Sequence, residues 1–185
     1  EAILVQQIRQ ATTSIDVAIQ ELRLPQVAQA LAKSAREGVQ IRIILENTYS
    51  RPWSDFSQQE IQNFDTRKRD RYQEFFQLAD INGNGKLSQE EIQKRDALVI
   101  LENANIPLID DTADGSRGSG LMHHKFIIID GKKVLVSSAN LTTSGIHGDF
   151  RKPASRGNAN HLLKIDSSKL AQIFTKEFEL MWGDG

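Results

Sequence analysis

The sequence predicts an α/β domain, a mixed β-sheet flanked by helices, with a helical insertion. Three observations carry this. Helical and strand patterns alternate twice before residue 46, as in a βαβ unit. Residues 121–141, LMHHKFIIIDGKKVLVSSANL, read as a β-hairpin, with apolar runs Phe126–Ile129 and Val134–Val136 on either side of an Asp130-Gly131 turn. Between these two parts lies a segment of different character, polar and aromatic at first and then helix, Asn/Gly-rich loop and helix.

The elements follow in order. Ile3, Leu4, Ile8 and Ala11 keep helical spacing over residues 1–12. Residues 14–19 alternate as a strand. Pro25 suits the first turn of a helix whose inner face carries Val27, Leu31 and Ala35, and Gly38 stops it. Val39 to Leu45 is a β-branched strand. Residues 48–66 give no regular pattern. Residues 67–79 form a helix with Tyr72, Phe75, Phe76 and Ala79 on one face, and a second helix runs from about Gln89 to Asn103. A short strand at 106–109, a Gly/Ser/Asp-rich loop, the hairpin and a strand over 161–165 follow. Ser167 caps a last helix, with Leu170, Ile173, Phe174, Phe178, Met181 and Trp182 on its buried side.

Composition sets bounds. The 185 residues suffice for one domain with a proper core, and 39% hydrophobic with 25% charged residues is ordinary globular usage. A net charge of −1 gives no global basic field. Absence of cysteine excludes disulfides and thiolate metal sites. No apolar run approaches the length of a membrane span. The compartment stays open.

The hairpin's edges carry the chemistry. Side chains alternate along a strand, so His123 and Lys125 share one face while His124 takes the other. Ser138 and Asn140 share a face in the same way. Lysine supplies positive charge, Ser and Asn supply donors, and His can attack or transfer a proton, which together suit a phosphate. The series His123, Lys125, Asp130, Ser138 and Asn140 resembles the HKD motif of the phospholipase D superfamily, with Ser137 where that family usually has Gly. AREGVQIRIILEN, residues 35–47, resembles the family's first crossover.

The resemblance implies a phospholipase D-like half and a phosphodiesterase that works through a phosphohistidine. His123 would attack phosphorus or protonate the leaving oxygen. Lys125, Ser138 and Asn140 would hold phosphate oxygens, and Asp130 would support the site. No metal is required. The family uses two motifs and one is present, so the expected partner is a second copy in a homodimer, or else a missing second half of a longer chain. The family also places a Glu before the last strand to orient its His. Asn160 stands there, and Asp149 is a substitute to consider.

Residues 80–91 fit the EF-hand calcium template without a gap. Asp80, Asn82 and Asn84 offer side-chain oxygens, Lys86 its backbone carbonyl, and Glu91 a bidentate carboxylate, with Gly85 at the sharp turn. Two carboxylates imply weak affinity, on the order of 10⁻⁵ to 10⁻³ M, and a structural or regulatory role for calcium. The expected organisation is one phospholipase D-like domain over 1–185 with an insertion at 49–94 and the EF-hand-like motif at 67–95.

A nuclease is the first substrate reading. Arg51, the Arg67-Lys68-Arg69-Arg71 cluster, Arg151 and Lys152 could meet phosphates, and Trp53 and Phe56 could stack on bases. A phospholipase D acting on phospholipid is the alternative, with Trp53 and Phe56 in a membrane interface. A non-catalytic calcium-dependent binding module is the third.

Overall fold

A six-stranded sheet in the order β3-β2-β1-β4-β5-β6 organises the chain. The computed structural model describes residues 1–113, 120–148 and 154–183. The strands are β1 (Ser14–Ile19), β2 (Gln40–Leu45), β3 (Leu108–Asp110), β4 (Lys125–Ile129), β5 (Lys133–Ser137) and β6 (Leu162–Asp166). β1, β2 and β3 run parallel, and β4 turns the sheet antiparallel by pairing Ile19 with Lys125. β4 is buried along its whole length, which is why its sequence is a continuous apolar run rather than an alternation.

Helices cover both faces. α1 (Ala2–Arg9) and α2 (Pro25–Arg36) pack on one face through Leu4, Ile8, Val27 and Leu31, with Ile127 and Ile129 beneath them. α6 (Ala97–Asn103) joins this layer through Leu98 and Leu101. The other face is covered by α8 (Ser168–Trp182), whose Ala171, Phe174 and Phe178 meet Phe126 and Ile128. Ser167 does cap α8, accepting from the Leu170 amide at 3.2 Å. Ile173 corrects the predicted stripe. It lies one position off the 171/174/178 line and is 57% exposed.

The long crossover from β2 to β3 departs from the sequence reading in two places. Residues 48–66, which showed no pattern, form two 3₁₀ turns and α3 (Gln58–Gln62), held by a Ser57–Glu60 capping box. The helix predicted from Gln89 to Asn103 is two helices, α5 (Gln89–Arg95) and α6, broken at Asp96. The break has a cause. Asp96 is buried, and its carboxylate accepts the Leu98 amide at 3.2 Å and the Ser54 amide at 2.9 Å. It caps α6 and anchors the incoming loop at once, which an uninterrupted helix could not do.

The same crossover contains α4 (Thr66–Ala79) and its own aromatic cluster, with Trp53, Phe64, Phe75 and Ala79 buried together. Trp53 and Tyr72 meet edge to face at 6.0 Å, as do Phe56 and Phe64 at 5.1 Å. Trp53 is therefore core, only 5% exposed, and the expectation that it stacks on a base or enters a membrane is corrected.

Candidate functional site

The topology gathers chemistry at one edge of the sheet. The carboxyl ends of β1 and β2 meet the start of β4, the end of β5 and the start of β6 there. Lys125 opens β4 and is only 9% exposed. Its Nζ donates to the His123 carbonyl at 3.0 Å and to Gln20 Oε1 at 3.4 Å. Burial lowers its pKa from the ordinary lysine value. Asn140 follows β5, and its Nδ2 donates to the same Gln20 Oε1 at 2.9 Å.

Gln20 is the residue that sequence reading missed. It is buried, one position past β1, and joins Lys125 to Asn140 through a single oxygen. The amides are oriented by necessity. An ammonium only donates, so Gln20 must present its oxygen to Lys125, and Asn140 must then give its NH₂. That leaves Asn140 Oδ1 buried without a hydrogen-bond partner among the described residues. Such an orphan costs about 1–3 kcal/mol, and functional sites are where it is tolerated. The sequence signal was a polar Gln20-Glu21 pair directly after an apolar strand.

The other predicted residues divide. His123 is exposed at the mouth of this edge. His124 takes the opposite face as expected. Its ring meets Phe126 edge to face at 5.5 Å and lies 3.3 Å from Glu177 on α8. Ser138 donates to Asn160 Oδ1 and accepts the His161 amide, both at 2.9 Å. Ser137 uses its hydroxyl as a glycine could not, accepting the Ala139 amide at 2.9 Å. Asn160 does not take the place of a histidine-orienting carboxylate. Its NH₂ donates to the Gly145 carbonyl at 2.9 Å while its oxygen serves Ser138. Gly145 permits this clamp, because a Cβ there would lie 2.4 Å from the Asn140 carbonyl oxygen. Asp149, Arg151 and Lys152 lie outside the described residues.

Asp130 corrects the expectation that it supports this site. It follows β4 at the opposite end of the sheet, roughly 17 Å from Lys125 at strand rise. Its carboxylate accepts the amides of Thr12, Thr13 and Ser14 at 2.8–3.1 Å, together with the Thr12 and Thr13 hydroxyls. Burial opposes its ionisation, but these donors outweigh it and hold the pKa at about 2.

The Asp80–Glu91 loop has a backbone and donor set suited to a hard cation. Gly85 takes φ +75°, the left-handed turn that glycine allows. Asp80 accepts the Asn84 and Gly85 amides at 3.1 and 2.9 Å. Glu91 reaches back across the loop. Its Oε1 accepts the Ile81 amide at 2.9 Å, and its Oε2 the Ser88 amide at 2.9 Å. The Ser88 amide and hydroxyl head the donors that lower the Glu91 pKa. The oxygens of Asp80, Asn82, Asn84 and Glu91 thus gather in one loop, and they fit calcium in chemical type.

Comparison with known proteins decides the family. Residues 4–182 match the family described as "Cardiolipin synthase, PLD-like domain". The chain belongs to it. Mitochondrial cardiolipin hydrolase of Xenopus laevis is 35% identical over 66 residues, which cover 36% of this chain and 27% of that protein. The mouse protein of the same name is 33% identical over 63 residues, covering 34% and 24%. The match thus spans about a quarter of these relatives' length. Among solved structures, the phospholipase D family member Nuc from Salmonella typhimurium aligns over 98% of this chain and 85% of its own, at TM-score 0.56 and 20% identity. NucT from Helicobacter pylori aligns over 98% and 86%, at TM-score 0.56 and 19% identity. These likenesses speak to the fold, and the PLD-like architecture is that of the six-stranded sheet described above.

Proposed function

We propose that this PLD-like domain is a phosphodiesterase that cleaves nucleic acid through a phosphohistidine, without a metal in the chemical step. The observation that carries the reading is the convergence of Lys125 and Asn140 on Gln20 Oε1 beside His123. Two of the three Lys125 donors are engaged within the protein, and its remaining proton suits a phosphate oxygen. Asn140 has a second NH₂ proton for the same use, and Ser138 would add its hydroxyl by releasing Asn160 Oδ1.

The chemistry follows. A neutral His123 nitrogen attacks phosphorus, and a P–N bond forms as the P–O bond to the leaving alcohol breaks. A second imidazole, His123 of another copy in a homodimer, gives that alcohol its proton. Water then breaks the P–N bond, with the second imidazole taking the proton. Lys125 offsets charge that develops on the phosphoryl oxygens. Exposed Leu121 and Leu163, 61% and 58% accessible, lie near His123 and His161 and offer apolar area to a second copy.

The deciding experiment is degradation of single-stranded DNA with excess chelator, comparing the intact chain with His123→Ala. Loss of DNA that depends on His123 supports the reading. Activity on anionic phospholipid alone would replace nucleic acid with lipid, the substrate class in the names of the cardiolipin hydrolase relatives. Activity on neither would leave a non-catalytic module.

The 49–94 insertion is proposed to bind calcium at Asp80, Asn82, Asn84, the Lys86 carbonyl and Glu91, in a structural or regulatory role. Bound there, calcium would supply charge to fix the angle between α4 and α5. Isothermal calorimetry should give a binding heat with affinity of about 10⁻⁵ to 10⁻³ M, removed by Glu91→Gln. No heat at millimolar calcium would sink this assignment.

A further inference from the structure

We infer that a cleft between the insertion and the sheet edge holds the nucleotide that flanks the scissile phosphate of single-stranded nucleic acid. The inference rests on the phosphodiesterase reading and adds a subsite to it. The cleft measures about 240 Å³, and Arg23, Arg67, Lys68 and Arg71 line it together with Tyr49 and Phe56. It adjoins the candidate site through two neighbouring residues of one strand end. Gln20 joins Lys125 to Asn140, and Glu21, the next residue, is the 2.7 Å partner of Arg71.

Arg23 and Arg71 form the floor. Both flank the buried Glu21, Arg23 at 3.5 Å and Arg71 at 2.7 Å. Arg23 donates to the Tyr49 and Arg51 carbonyls, each at 3.0 Å, and its side chain is 10% exposed. Its Nε is the atom that faces Glu21 Oε1, at 3.5 Å, and its guanidinium lies over the Trp53 ring at 4.9 Å. Burial lowers its pKa, so this guanidinium is held in the cleft against its solvation cost.

The rim carries a second sign of use. Thr66–Ala79 begins with Arg67, Lys68 and Arg69 and has no acidic residue in its first turn. Cations at the positive end of a helix dipole oppose the helix. Asp65 offsets this only as a cap on the Lys68 amide, at 2.8 Å. Lys68 rests over the Phe56 and Phe64 rings, Arg69 donates to the Gln62 and Phe64 carbonyls and Arg71 pairs with Glu21, so Arg67 is the cation that the rim offers most freely to a ligand. An incoming phosphate satisfies both the side chains and the helix end.

The aromatic walls select the ligand class. Lys68 Nζ lies 4.4 Å from the Phe56 ring centre, and the Arg71 guanidinium lies 5.5 Å from that of Tyr49. Phe56 already carries Lys68 and, at 4.1 Å, Arg51, so Tyr49 is the ring offered to an unpaired base, with positive charge at hand for its phosphate. An acyl chain would gain little from walls so polar. A duplex would keep its bases paired and away from the rings.

The test uses the full chain carrying His123→Ala, so that binding is read without cleavage. Anisotropy of a labelled single-stranded DNA oligonucleotide is followed across a salt series. Arg67→Gln with Lys68→Gln should raise Kd about tenfold or more and reduce the salt slope by about 1.4, the value for two lost phosphate contacts on a single strand. Lys169→Gln with Lys176→Gln on α8 makes the same charge change away from the cleft and should leave affinity near the parent. Tyr49→Ala should raise Kd about tenfold with the salt slope kept, since stacking is lost rather than charge. This second variant stands if the first disturbs α4. Equal affinity and slope in the cleft and α8 variants overturns the proposal. So does a loss seen with cardiolipin vesicles and not with the oligonucleotide. Failure of His123-dependent hydrolysis removes the phosphodiesterase reading alone, because binding is measured on the inactive chain.

Discussion

The two ends of β4 hold charged groups in opposite ways. At its far end Asp130 accepts from three backbone amides and two hydroxyls, and its pKa is drawn down to about 2. At its near end Lys125 is buried, its pKa falls with burial, and the amide network it begins leaves Asn140 Oδ1 unpaired among the described residues. One end is satisfied and the other is not. Stability is built where donors and acceptors match. Chemistry needs donors held short of satisfaction, and the spare protons of Lys125 and Asn140 are what a phosphate completes, with the unpaired oxygen as the cost of that orientation.

The largest expected effect breaks the near end. His123→Ala should lower phosphodiester hydrolysis on the order of 10³-fold, the scale of losing an acid–base or nucleophilic group. Because His123 is exposed, the melting curve should not move. Lys125→Met should lose hydrolysis comparably and melt no earlier than the parent, since a desolvated charge is replaced by an apolar chain of similar length. A parallel fall in stability and rate would place Lys125 in the scaffold instead.

The far end should respond the other way. Asp130→Ala strips five donors of their acceptor and should cost about 2 kcal/mol in urea unfolding. The folded fraction should still bind substrate. Acid sharpens the contrast. The folded pKa of about 2 lies below the ordinary 3.8, so the carboxylate's contribution is complete above 3.8 and is lost as pH falls from there toward 2. Half-exposure and solvent screening reduce it to about 1 kcal/mol. Asp130→Asn should flatten the stability profile in that window. An unchanged acid slope would mean that other carboxylates carry it.

The contrast also explains what the sequence could reveal. The hairpin was legible because a run buried on both faces needs the unbroken apolar stretch from Phe126 to Ile129, and its turn needs Asp130-Gly131 at positive φ. His123 and Lys125 were legible by spacing. Asp130 was read into the site because the HKD resemblance includes it, yet a strand carries it across the whole sheet. Gln20 was not read at all, because its contacts are 105 and 120 residues away. The break at Asp96 was hidden likewise, since the Ser54 amide that it accepts comes from the far side of the insertion. Trp53 looked available because its neighbours are polar, and only the fold brings Phe64 and Tyr72 around it.

The smallest expected effect tests whether the near end is a network or only a packing site. Gln20 Oε1 supports the charged form of Lys125 and orients the Asn140 amide. Gln20→Leu keeps the volume and removes the acceptor. The Lys125 pKa should then fall further, so the alkaline limb of kcat/KM moves to lower pH. Gln20→Glu should do the reverse. A carboxylate holds Lys125 charged to higher pH and still accepts from Asn140, but it repels the incoming phosphate, so the limb moves up while KM rises. Packing alone predicts that both variants lose rate with no shift of either limb. Opposite shifts from two substitutions of similar size can arise only if the charge state of Lys125 passes through that one oxygen.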